Sequence, residues 1–216
     1  MKNFIRVDDV EIPIDLGQSG VSASIENGCN DVTISLSASV IEGHNELHDV
    51  VSMDLAFVPT FELDRGWQSL SNQKIERNYE ADNDFILPDD PATIYMGWHL
   101  RATNNSIQFG DFENGGFRIL WTCIGKEIPD DAGTAFTLNS WLPITDVCIN
   151  FPELFRSVVE STPEDDVEAM EMGFANLKID AEQSLAILSK TFDRTHYAEP
   201  TRLRWGLRFP FIQVAK

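Results

Sequence analysis

Antiparallel strands forming a β-sandwich or an open barrel, then two to three helices near the C-terminus and a final C-terminal strand, make up the α+β, β-rich fold that this sequence predicts. Period-two alternation of apolar and polar residues through the first 60 residues and again from Ile94 is the first observation behind it. The second is the change past Pro152 to helical spacing with capping residues, and the third is the return of alternation after Arg194. The 216 residues read as a single domain over 1–216, with 1–151 mainly antiparallel β, 152–193 helical and 194–216 a basic strand. With 43% hydrophobic and 24% charged residues the chain can bury a sizeable core, so disordered, collagen-like and coiled-coil classes are excluded.

Val21, Ala23 and Ile25 fall on one strand face and Ser22, Ser24 and Glu26 on the other, with Asn27-Gly28 offering a hairpin turn. Val32, Ile34, Leu36, Ala38 and Val40 alternate with Thr33, Ser35, Ser37 and Ser39, the clearest strand in the chain. The uncharged Ser/Thr face of this hairpin is expected to be covered, by helices or by another chain. Val51, Met53, Leu55 and Phe57 form its partner, ended by Pro59. From Leu70 to Pro91 no periodicity survives, and a polar segment of that length is read as a functional loop or as disorder, with an interaction surface as its leading use.

Alternation resumes with Ile94, Met96, Trp98 and Leu100, followed by a turn at Asn104-Asn105 and a hairpin at Glu113-Asn114-Gly115-Gly116. Phe117 to Gly125 is apolar on both faces except Arg118 and Thr122, which predicts a central strand covered on both sides. Two further strands are expected at Ala135 to Trp141 and Ile144 to Phe151. Pro152 opens a helix, the run Ser161 to Asp166 marks the start of a second, and Asp180 caps a third. Arg202, Arg204 and Arg208 then alternate with Leu203, Trp205, Leu207 and Phe209 as a final strand with one basic face.

Sixteen Lys+Arg against 35 Asp+Glu give a formal charge of −19. Such a charge repels phosphate backbones and anionic lipid and attracts basic partners. The sequence therefore predicts no nucleic-acid and no membrane partner, and a basic protein as the partner. From Arg194 to Lys216 the balance reverses, with five cations against Glu199. Cys29, Cys123 and Cys148 are odd in number and lack CxxC or zinc spacing, and the N-terminus lacks a secretory apolar run, so a reducing, cytoplasmic setting is expected.

Catalytic signatures are sparse. No serine lies in a GxSxG elbow, neither GxGxxG nor GxxxxGK[ST] occurs, and Asp82-Asn83-Asp84 departs from a calcium loop. His44, Glu46 and His48 share one face if extended, and two imidazoles with a carboxylate suit a divalent metal such as zinc, with Asp49 or His99 as a further ligand. A metal-dependent enzyme or small-ligand-binding β protein is thus one expectation. The other, placed first, is an acidic binding module without a cofactor that sequesters a basic partner, as immunity proteins and antitoxins do. Its expected contact is the segment in which Glu80, Asp82, Asp84, Asp89 and Asp90 surround Phe85, Ile86 and Leu87, an apolar anchor ringed by steering charge. Association into a homo-oligomer through the Ser/Thr face is a third possibility the pattern allows.

Overall fold

The computed structural model describes residues 3–26, 32–40, 51–57, 66–77, 92–96, 99–127, 132–163 and 166–212. The strands are β1 (Phe4–Val7), β2 (Val10–Glu26), β3 (Val32–Val40), β4 (Val51–Phe57), β5 (Lys74–Arg77), β6 (Ala92–Met96), β7 (His99–Glu113), β8 (Gly116–Lys126), β9 (Thr134–Asn150), β10 (Thr201–Arg202) and β11 (Gly206–Pro210). Between β9 and β10 lie α1 (Pro152–Ser161), α2 (Val167–Asn176) and α3 (Ala181–Thr191). Of the two predicted arrangements, the single rolled sheet is the one that forms.

Strand β9 makes the roll. One of its edges pairs with β8 over Thr134–Pro143 and then with β11 over Asp146–Asn150. Its other edge pairs with β1 through Phe136–Asn139 and then with β2 from Ile144 to Asn150, so the path β2-β3-β4-β6-β7-β8-β9 returns to β2. The β2–β9 ladder is parallel, a departure from the otherwise antiparallel pairing. Two strands were expected here, but β9 runs through Pro143 without a break. The proline stands where partners change and next to a register shift, so its missing N–H costs the ladder little.

Inward side chains fill the roll. Ile5, Ile34, Phe109, Phe117, Trp121 and Leu138 are completely buried, and β3 alternates buried and half-buried residues along its whole length as its sequence requires. Strand β8 is covered on one side only: Leu120 is 40% exposed and Thr122 is exposed, which corrects the expectation of two covered faces. The hairpin at Asn114-Gly115 is confirmed, with φ of 52° and 71° at its central residues, the backbone of a type I′ turn.

One turn falls elsewhere than predicted. β6 and β7 pair with Tyr95 opposite His99, so the chain reverses just before His99, and Asn104-Asn105 is a bulge inside β7. Asn104 takes the left-handed φ of 51°, and Asn105 turns inward and is buried. Its Oδ1 accepts from Trp121 Nε1 at 2.9 Å and its Nδ2 donates to the Ala102 carbonyl at 2.8 Å. Within the segment read as aperiodic, Leu70 is buried at the end of a 3-10 turn, Gly66–Leu70, and β5 pairs with Asn105–Gln108 of β7. A four-residue strand with one apolar side chain, Ile75, is too short to show a period.

The helices start where capping predicts. Pro152 is the first residue of α1, Asp166 accepts from Ala169 N at 2.9 Å to cap α2, and Asp180 accepts from Glu182 N and Gln183 N to cap α3. Ser161 still belongs to α1, so the second start lies later in the run Ser161 to Asp166 than its first residues suggest. The final strand is a hairpin, β10–β11, closed by Leu203 N donating to the Gly206 carbonyl.

Candidate partner-binding surface

Glu80, Asp82, Asp84, Phe85, Ile86, Leu87, Asp89 and Asp90 lie outside the described residues, as do His44, Glu46 and His48. What the structure describes is where the acidic segment is anchored: β5 before it is paired to β7, and β6 after it is paired to β4 and β7. His99 is exposed on β7, its ring 5.1 Å from that of Tyr95 across the hairpin. Among the described residues no group of three or more His, Cys, Asp or Glu side chains is placed to hold a metal ion.

Cys123 and Cys148 are free thiols. Burial pushes both up to about 12, and for Cys148 the neighbouring Asp146 carboxylate adds to the effect. Both are therefore neutral near pH 7; Cys123 is a small core side chain, and Cys148 is half-buried.

Arg194, Arg202, Arg204 and Arg208 bond to acceptors of the protein itself while the last three stay exposed. Arg202 donates from Nη2 to the carbonyls of Phe174, Ala175 and Leu177 at 2.9, 3.2 and 2.8 Å, meeting the negative end of α2. Arg204 pairs with Glu171 at 2.5 Å and lies over the Phe174 ring. Arg208 pairs at 2.6 Å with Asp146, whose side chain is only 5% exposed, and this bond raises the arginine further above its ordinary value. Arg194 donates to the Tyr197 carbonyl and to Glu199. Exposed carboxylates such as Glu26, Glu113, Glu160, Glu168 and Glu182 remain on the surface.

The hydroxyls of the predicted Ser/Thr face are half-buried. Ser22 and Ser37, with Thr145, Cys148 and Arg208, line an open trough of about 500 Å³ across β3, β2, β9 and β11.

A smaller cleft, about 330 Å³, lies between two 3-10 turns, Gly66–Leu70 and Arg194–His196. Trp67 Nε1 donates to the Tyr197 hydroxyl at 2.8 Å, and both residues are buried. Phe192 stands 5.1 Å from Trp67 and 6.1 Å from Tyr197 between ring centres. Gly66 holds a φ of +57°, and a Cβ there would come within 3.1 Å of the Thr191 carbonyl, so glycine is what lets the turns approach. Asp193 caps the second turn by accepting from Thr195 N at 3.0 Å and Thr195 Oγ1 at 2.7 Å. Those two bonds hold its carboxyl below the usual carboxylate range, with the adjacent His196 adding to the effect. Burial moves the Tyr197 hydroxyl upward, so it stays protonated.

Sequence reasoning singled out none of the cleft residues, because residues 66–68 and 191–197 come together only through tertiary contact. The one local signal was Asp193-Arg194-Thr195, an aspartate two residues before a hydroxyl at the end of a helix. No protein-family model, curated protein or solved structure matches the chain.

Proposed function

We propose that the protein is an acidic binding module that captures and neutralises a basic protein partner in the reducing setting of the cytoplasm, as immunity proteins and antitoxins do. The observation that supports this reading is the engagement of Arg194, Arg202, Arg204 and Arg208, each by an acceptor of the same chain. These C-terminal cations are thus held on the protein's own acceptors, and the charge of −19, which already counts them, acts on partners as a long-range attraction for positive surfaces. Glu80, Asp82, Asp84, Asp89 and Asp90 supply steering charge in this reading, and Phe85, Ile86 and Leu87 supply the anchor.

The test is binding to basic proteins encoded beside the gene. Association is expected to slow at least about tenfold between about 50 and 500 mM salt. A similar loss is expected from the fourfold variant Asp82→Lys, Asp84→Lys, Asp89→Lys and Asp90→Lys, with the melting temperature held within about 2 °C. Association indifferent to both changes sinks the reading. The period-two spacing of His44, Glu46 and His48 supports a second proposal, a divalent-metal site, which metal analysis of protein purified without a histidine tag decides.

A further inference from the structure

We propose that an open cavity of about 710 Å³ on the outer face of the sheet, beside the Asn114-Gly115 turn, binds a neutral saccharide with a pyranose ring stacked on Trp141. The assignment is independent of the capture of a basic partner. The lining joins Trp141 of β9, Arg118 of β8, Asp111 and Glu113 of β7, Asn114 of the turn and Asn3 just before β1. Strand register places them on one side of the sheet. Arg118 stands opposite Trp141 and Glu113 opposite Gly116, whereas Phe117 and Leu142, the pair between these, are buried in the core.

Trp141 supplies the platform. It is half-buried, and its Nε1 donates at 3.4 Å to the carbonyl of Glu113, two strands away, so the indole reaches across β8. A Cβ on Gly116 would come within 2.7 Å of the indole Cζ2, so the ring rests where a side chain of β8 would otherwise stand. One face of the indole covers that glycine and the other borders the cavity. An aromatic face so placed takes the apolar C–H face of a sugar ring.

Polar groups around the platform are positioned before a ligand arrives. Asn3 Oδ1 accepts from Trp141 N at 3.0 Å and from Arg118 Nη1 at 3.3 Å, and Arg118 also donates to Asn139 Oδ1. Asp111 Oδ1 accepts from Asn72 Nδ2 at 2.6 Å, which fixes the carboxylate at the rim. Glu113 and Asn114 are exposed. Two carboxylates disfavour an anion, and a guanidinium beside the indole disfavours a cation stacked on it, so a neutral ligand suits the set. Hydroxyl groups both donate and accept, and so answer carboxylate, amide and guanidinium alike. The volume falls within the roughly 300–1,000 Å³ of small-ligand sites, and an open position on the sheet surface admits one unit of a longer chain.

The test is NMR titration of the full-length, tryptophan-labelled protein with cellotetraose, maltotetraose, mannotetraose and galactotetraose, the Trp141 indole signal being assigned with Trp141→Phe. Saturable movement of that signal is expected with at least one tetrasaccharide, and binding at least about tenfold weaker with the anionic tetragalacturonate. Trp141→Ala is expected to weaken binding at least about tenfold through loss of the stacking face. Glu113→Gln removes a charged acceptor and Asn114→Gly an amide while leaving the turn its preferred backbone, and the two together are expected to weaken binding about tenfold. If Trp141→Ala fails to fold, this exposed pair decides. A Trp141 signal that ignores all four tetrasaccharides, an equal response to tetragalacturonate, or undiminished binding in the double variant overturns the assignment. Movement with adenosine alone overturns it in favour of a planar aromatic ligand. Capture of a basic partner is judged by its salt dependence and stands or falls apart from each of these results.

Discussion

Asn105 shows how one polar side chain fixes a local irregularity. Its amide occupies the space that a bulge opens in β7 and satisfies the buried indole of Trp121 on the neighbouring strand. Asn105→Ala leaves that indole N–H without its acceptor inside the core and is expected to cost about 2–3 kcal/mol in urea unfolding. A loss under about 0.5 kcal/mol would mean that the bulge stands without it. The free thiols, Cys123 buried and Cys148 half-buried, give a second prediction at this scale. Cys123 and Cys148, pushed up to about 12, are expected to react with iodoacetamide at pH 8 at least about a hundredfold more slowly than thiols of the unfolded chain, measured by peptide mapping. Because the folded form keeps these thiols protonated where the unfolded chain ionises them, their contribution is intact below about pH 8.5 and declines as pH rises above it.

Among the elements, α2 depends on a residue far from it in sequence. Arg202 donates to three carbonyls at its C-terminus, of which Phe174's also accepts from Leu177 N. Arg202→Ala is expected to speed hydrogen exchange of the last turn of α2 about fivefold while the sheet amides stay protected, the local equivalent of about 1 kcal/mol. The basic face of the last strand was legible in the spacing of Arg202, Arg204 and Arg208, but their acceptors, Glu171, Asp146 and the end of α2, are set by tertiary packing that no local pattern records. β3 and the three helix starts were legible because alternation and caps are local. The β6–β7 reversal was missed because Ile94 and Leu100 are buried as one continuous strand would also bury them, and the Asn104-Asn105 pair gave a stronger turn signal than the true one. The aromatic cleft was invisible for the same reason as the arginine partners: Trp67 and Tyr197 stand 130 positions apart.

Across the whole molecule, the roll depends on pairings between distant segments. Ile5 lies opposite Leu138, and Ala23 beside Val147. Such topology folds slowly because chain closure must precede the contacts that reward it, so refolding from urea, followed by tryptophan fluorescence, is expected to take about a second or longer. Completion within about 10 ms would contradict the pairing described. The same feature bears on synthesis. Until residues 134–150 have left the ribosome, β1, β2 and β8 lack their common neighbour, and each presents backbone donors and acceptors to whatever chain is nearby. A nascent chain of this protein is thus adhesive for most of its translation and loses that character only when one late segment slots in, so a premature stop shortly before residue 134 would yield an aggregating product.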